Sequence, residues 1–283
     1  RSSLLGDYPY SSFSIAEAAL GSPGGMEYPA ISCISTTTDA ATLEYLIGHE
    51  AGHNWFQAAI ASNERRYPWL DEGLNSYYDL RFKQAAARYM GKRKLVLTDR
   101  LLLSNQYHWK KDQPLSTSAD SLTQVNYSLI GYEKGAALIQ LLEQQSGRQQ
   151  FDTAMLQYVR QWIHKHPTPA QFQSTLEQAT EKNLSTTFAL LQQQGPLQQP
   201  KRMRVSLKPP IAWGNDSLRT IALLPAAGFN LYDGVMLGGV ISNYTLPSSK
   251  FQFLVAPLYA TQSRQLTGAA RLAYTFFPKR VFD

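Results

Sequence analysis

The sequence predicts an α+β protein, mostly helical over residues 1–200 and β-strand-rich over residues 201–283. Three observations carry that division. From Asp39 to about Gln194, apolar residues recur at helical spacing. Beyond Gln198 the repeat shortens to two, the period of a strand. Between these zones Pro200, Pro209 and Pro210, with the basic Lys201, Arg202 and Arg204, read as a linker. At 283 residues the chain can hold one large domain or two ordinary ones. A hydrophobic share of 43%, with 16 Tyr, 12 Phe and 5 Trp, excludes a disordered or fibrous chain. The 27 basic and 21 acidic residues leave a charge of +6 with no long basic run, so nucleic acid is not an expected partner. One cysteine, Cys33, excludes an internal disulfide framework and a multi-thiolate metal site. No stretch approaches the 18 consecutive apolar residues of a transmembrane helix. Arg1 stands first, without a signal-peptide pattern after it, so the chain reads as a piece of something longer.

Each element has a local reason. The stretch to about Ser35 is rich in Gly, Pro and Ser, with short strands expected at Ser12–Ile15 and Pro29–Ile34. Asp39 is an N-cap, and Leu43, Leu46, Ile47 and Ile60 form an apolar helical stripe through Ala61. A second helix is expected from Asp71 to Met90, stopping at Gly91. Others are expected at Gly131–Ser146, closed by Gly147, and at Gln150–Ile163. Thr168-Pro169-Ala170-Gln171 combines an N-cap, a first-turn proline and a capping-box glutamine, so a helix begins there. A last short helix near Leu184–Gln194 ends at Gly195-Pro196. In the C-terminal zone Phe251, Phe253 and Val255 alternate with Gln252, Leu254 and Ala256, and Ala270, Leu272, Tyr274 and Phe276 repeat the pattern.

The most informative residues are His49-Glu50-Ala51-Gly52-His53. On a helix, positions i and i+4 lie side by side, so His49 and His53 can hold one Zn²⁺ at about 2.0–2.1 Å from each nitrogen. Glu50 projects beside that metal, where a general base would act on water. The candidate third ligand is Glu72, 18 residues beyond His53, at the start of the next helix in Trp69-Leu70-Asp71-Glu72-Gly73. Two antiparallel helices joined by a loop would bring it to the histidine pair.

His-Glu-x-x-His, then Glu in Trp-Leu-Asp-Glu-Gly, resembles the aminopeptidase N type of zinc peptidase, a gluzincin family. Gly24-Gly25-Met26-Glu27 is similar to that family's Gly-x-Met-Glu-Asn exopeptidase strand. Tyr132-Glu133-Lys134-Gly135 resembles the segment with its catalytic tyrosine, with Tyr132 standing 60 positions after Glu72. The resemblance covers about Leu5 to Gln194 and takes in helices around Thr168–Leu190. It implies a thermolysin-like catalytic domain with one Zn²⁺ on His49, His53 and Glu72, and with Glu50 as general base. It further implies that Tyr132 binds the oxyanion, that Glu27 binds the substrate's free α-amine, and that Gly24, Gly25 and Met26 lie along the peptide. The sequence departs from the family at Tyr28-Pro29, where Asn is usual, and at Gln57-Ala58, where Gly-Asn usually follows Trp55 and Phe56. The family's N-terminal β-sandwich domain, which helps hold the amine, has no room here, so the resemblance implies a fragment.

The expected activity is removal of the N-terminal residue from peptides, and the expected partners are peptides with a free N-terminus. A thermolysin-type endopeptidase and a non-catalytic zinc-bearing scaffold remain as alternatives. Residues 201–283 do not match the family's helical C-terminal domain. Phe251–Tyr259 and Ala269–Phe277 alternate and carry aromatics near their ends, as the opening strands of an outer-membrane barrel would. A small soluble sheet is the alternative. About four strands fit, too few for a closed barrel. This segment makes membrane association one option and favours a bacterial cell envelope over the cytoplasm. Cys33 is expected to be a buried strand residue, and His108, His164 and His166 to be surface or loop residues rather than ligands.

Overall fold

In a computed structural model, residues 1–20, 24–85, 102–107, 109–198, 202–206, 218–244 and 249–276 are described. The chain divides into two compact units, one of residues 1–100 with 113–197, the other of residues 101–112 with 198–283.

The first unit opens on a three-stranded sheet in the order β1-β3-β2, comprising Ser14–Ala18, Ile31–Ser35 and Gly25–Met26. β1 and β3 run parallel, whereas β2 is antiparallel to β3, pairing Gly25 with Ile34 and Met26 with Cys33. The chain then enters the Ala40–His53 helix, whose first turn is held by the Asp39 side chain accepting from the Thr42 N–H. Its last turns widen into a π-helical run over Asn54–Ala59. The same widening occurs at Trp69–Gly73, before the Leu74–Ala85 helix, and at Tyr127–Lys134, before the Gly135–Ser146 helix. Such wide turns are uncommon, and they concentrate at functional sites. Gly147, at φ 85°, ends the Gly135–Ser146 helix, and Arg148–Trp162 follows. The Pro169–Thr180 helix starts on the expected capping box of Thr168 and Gln171. A Ser185–Phe188 helix and a tighter turn over Ala189–Gln192 close the unit.

Its core is aromatic: Trp69, Phe151, Tyr158 and Phe172 are fully buried, with the Tyr158 and Phe172 rings meeting edge to face at 4.7 Å. Two glycines bring two helical segments into backbone contact. A Cβ on Gly73 would fall 2.8 Å from the Gly135 Cα, and one on Gly135 would fall 2.9 Å from the Gly73 Cα.

The second unit carries a five-stranded sheet in the order β4-β5-β6-β7-β8. β4 (Arg202–Ser206) pairs parallel to the start of β5 (Leu218–Asn230). β6 (Gly234–Ser242), β7 (Phe251–Ala260) and β8 (Leu266–Tyr274) continue as an antiparallel meander.

Several expectations change. The first strands lie at Ser14–Ala18 and Ile31–Ser35, a few residues beyond the sequence estimate. Arg202 and Arg204, read as linker, lie on β4. The antiparallel sheet includes β5 and β6, which alternation had not resolved, and its last strand runs Leu266–Tyr274. Cys33 is half-buried rather than buried, whereas His164 and His166 are exposed. The helix end at Met90 and Gly91, the prolines at 200, 209 and 210, Lys201, His108 and Phe277 lie outside the described residues.

Candidate active site

The Ala40–His53 helix places His49 and His53 on one face, with their Nε2 atoms 3.2 Å apart. Glu72, on the π-helical Trp69–Gly73 turn, brings Oε2 to 3.4 Å from His49 Nε2 and 3.3 Å from His53 Nε2. All three side chains are buried, and Glu72 Oε2 has no hydrogen-bond donor. One ligand atom from each lies within 4.8 Å of the others. A buried carboxylate oxygen without a donor is costly unless a cation meets it. Two imidazoles and one carboxylate, with no thiolate, are a donor set that suits zinc and leaves a coordination position open.

The far side of each imidazole is held as well. His53 Nδ1 donates to Asp71 Oδ1 at 2.7 Å and His49 Nδ1 to Asp79 Oδ2 at 2.6 Å, which turns both Nε2 atoms toward Glu72. Asp79 in turn accepts from Arg1 Nη2 at 2.8 Å, and Asn75 Nδ2 donates to the His49 carbonyl at 2.8 Å. Burial works against a charged His49, but the hydrogen bond to Asp79 and the adjacent Glu72 carboxylate outweigh it and raise its pKa to about 9. Burial also opposes ionisation of Glu72, yet the two histidines hold its carboxyl well below the usual carboxylate range.

Glu50 and Glu27 lie beside this group and, with His53, form a second one whose oxygen and nitrogen atoms lie within 4.8 Å of one another. Burial raises the Glu50 pKa to about 7, against the pull of His49 and His53. Burial also raises that of Glu27. Strand β2 reaches the helix through Gly25, where a Cβ would sit 2.1 Å from Glu50 Oε1. The Tyr132 hydroxyl donates to Glu72 Oε1, and its ring stacks on His49 with centroids 5.8 Å apart. Burial, then the Glu72 charge, keeps the Tyr132 phenol protonated.

Of the residues singled out in the sequence, His49, Glu50, His53, Glu72, Glu27, Gly25 and Tyr132 therefore come together. Gly24 lies on the approach to β2, its N–H donating to Ser35 Oγ, and Met26 is exposed on that strand. Sequence reasoning passed over Asp71, Asp79, Asn75 and Arg1. Asp79 stands seven residues after Glu72, two helical turns along the same face, a spacing that could have pointed to it.

Comparison with known proteins agrees with this geometry. Residues 28–190 match the Peptidase family M1 domain. Human endoplasmic reticulum aminopeptidase 2 is 23% identical over 172 residues, covering 56% of this chain and 18% of that protein. Aminopeptidase N of Haemophilus influenzae is 26% identical over 156 residues, covering 53% of this chain and 18% of that protein. The chain thus spans under a fifth of the length of these relatives. Among solved structures, an M1 zinc metallopeptidase mutant of Deinococcus radiodurans bound to a Tyr-Ser-Ala substrate superposes with a TM-score of 0.51 at 15% identity. That match covers 68% of this chain and 42% of the other. Native yeast LTA4 hydrolase gives 0.51 at 20% identity, covering 66% and 32%. At these identities the likeness is one of fold.

Proposed function

Since this chain belongs to the M1 peptidase family, we propose that it carries the catalytic core of a zinc-dependent aminopeptidase, within residues 1–200 and with a thermolysin-like arrangement. The observation that carries this reading is the buried His49–His53–Glu72 group, with Glu50 and Glu27 beside it. A zinc ion held by His49, His53 and Glu72 supplies Lewis-acid polarisation of a carbonyl and acidifies water.

The remaining work falls to side chains. Glu50, with its pKa raised to about 7, takes a proton from the attacking water and returns it to the leaving amine. A carboxyl of that pKa can both accept and release a proton near neutrality. Tyr132 stays protonated and donates its hydroxyl hydrogen to the oxygen that gains charge as the carbonyl is attacked. Glu27 pairs with the substrate's α-ammonium, so that only the first peptide bond reaches Glu50. Gly25 lets the peptide backbone run against β2, because no side chain stands between the strand and Glu50. Asp71 and Asp79 fix the two imidazole tautomers.

The test is hydrolysis of an aminoacyl anilide by wild type and by Glu50→Gln, with zinc measured in both. One zinc per chain in each and turnover only in wild type is the expected outcome. Turnover by the variant would reject the assignment. A substrate with an acetylated N-terminus separates exopeptidase from endopeptidase action, since only an endopeptidase would cleave it.

A further inference from the structure

The antiparallel sheet of the second unit has one face composed almost wholly of hydrocarbon. The strand register puts the odd-numbered residues of β5, β6 and β7 and the even-numbered residues of β8 on the same side. Between the ends of that face lie Leu223, Ile241, Val255 and Leu272, with Leu237 one level nearer the tight turns beside Tyr259; Leu237 is 56% and Leu272 69% exposed. Ring-bearing residues stand at its two ends, Phe229 and Tyr259 beside the tight turns, Phe251 and Tyr274 at the other. Among the residues paired across these four strands the one charged side chain is Arg271, and it lies on the opposite face with Gln252 and Thr267. Lys250 and Arg264 sit just beyond the strand ends, at opposite edges.

We propose that this face meets the hydrocarbon of a lipid bilayer, as part of a membrane-embedded β-structure. Four features favour lipid over a protein partner. The strands are 9–13 residues long, which at about 3.3 Å per residue and a tilt near 45° matches an apolar layer about 25 Å tall. Rings at both ends and aliphatic side chains between them follow the depth profile of a bilayer, whereas protein interfaces gather aromatics at the centre. Strand middles without charge, with the charged Lys250, Arg264 and Asp233 only beyond the strand ends, suit a hydrocarbon layer bounded by polar headgroups. Between Ala222 and Tyr274 the polar side chains of the strands, the two tyrosines at the ends apart, are confined to the second face, as in a barrel whose interior is wet. Arg219, an odd position at the start of β5, stands outside that stretch. No described helix is long and apolar enough to cross a membrane. Insertion requires every backbone group to be paired, so in the embedded form the outer edge of β8 and that of β5 beyond Ala222 both meet further strands. This inference stands independently of the peptidase reading.

The experiment uses the whole 283-residue chain, refolded from detergent with vesicles of phosphatidylethanolamine and phosphatidylglycerol. The chain is expected to float with the vesicles. Leu237→Arg combined with Leu272→Arg should lower the floated fraction at least tenfold. A second measurement does not depend on those variants folding. In a Cys33→Ser background, an NBD label on Leu237→Cys should emit as in hydrocarbon and resist dithionite, whereas one on Ala256→Cys, on the other face, should be less protected. A chain that stays monodisperse in vesicle-free buffer with a water-exposed label at 237 would overturn the proposal. So would a discrete dimer in buffer that the double arginine variant dissociates, because the face would then meet a second copy.

Discussion

The helical unit buries what proteins usually expose, and the C-terminal sheet exposes what they usually bury. In the first, His49, Glu50, His53, Asp71, Glu72 and Asp79 are all inside. In the second, Leu223, Leu237, Val255 and Leu272 are outside. The two inversions have the same logic. Buried ionisable groups persist where hydrogen bonds and opposite charges compensate desolvation, and here those partners arrange nitrogens and oxygens around one point. Exposed apolar groups in a continuous array persist where the medium outside is itself apolar. Departures from the usual distribution thus identify what each surface is built to meet.

The sharpest way to break the first half of this comparison is Glu50→Gln, which should lower kcat on an aminoacyl anilide by about 10³-fold and leave zinc content unchanged. Next in size is the contrast in packing. Leu138→Ala, in the fully buried core of the helical unit, should cost about 2–5 kcal/mol in denaturant unfolding. Asp79→Asn removes the charge that orients His49, and should weaken zinc affinity about 10–100-fold in a chelator competition. The smallest expected effect completes the comparison. Leu272→Ser, on the exposed sheet face, should change stability in vesicle-free solution by about 0.5 kcal/mol or less. A loss as large as that of Leu138→Ala would mean the face is covered in solution and would break the contrast.

Much of the site could be read in the sequence, because the information was local. His49 and His53 are a helical turn apart, Glu72 begins the next helix, and Thr168 with Gln171 declares a helix start within four residues. What escaped was long-range. Arg1 reaches Asp79 across 78 positions, and no periodicity encodes such a contact. Aspartates 71 and 79 were visible as acids near a helix, but their role depends on which way the two imidazoles face. In the sheet, β5 was masked by Pro225 and β6 by Gly238 and Gly239, residues that argue against strands. β4 pairs with β5 only as far as Ala222, so Pro225 lies where that side of β5 has no described neighbour, and the missing N–H costs little. The widened helical turns left no sequence mark that we can name.

The contact between Gly73 and Gly135 has a consequence for how this sequence can vary. Gly73 follows Glu72 directly, and Gly135 ends the Tyr132-Glu133-Lys134-Gly135 segment, so their touching backbones set how far Tyr132 stands from Glu72. Most packed pairs can drift, a gain of volume on one side being offset by a loss on the other. Here neither partner has a side chain to give up. The two positions are therefore frozen jointly rather than coupled, and no change at one can rescue a change at the other. The spacing between a candidate ligand and its neighbouring hydroxyl is inherited through two residues that take no part in the chemistry.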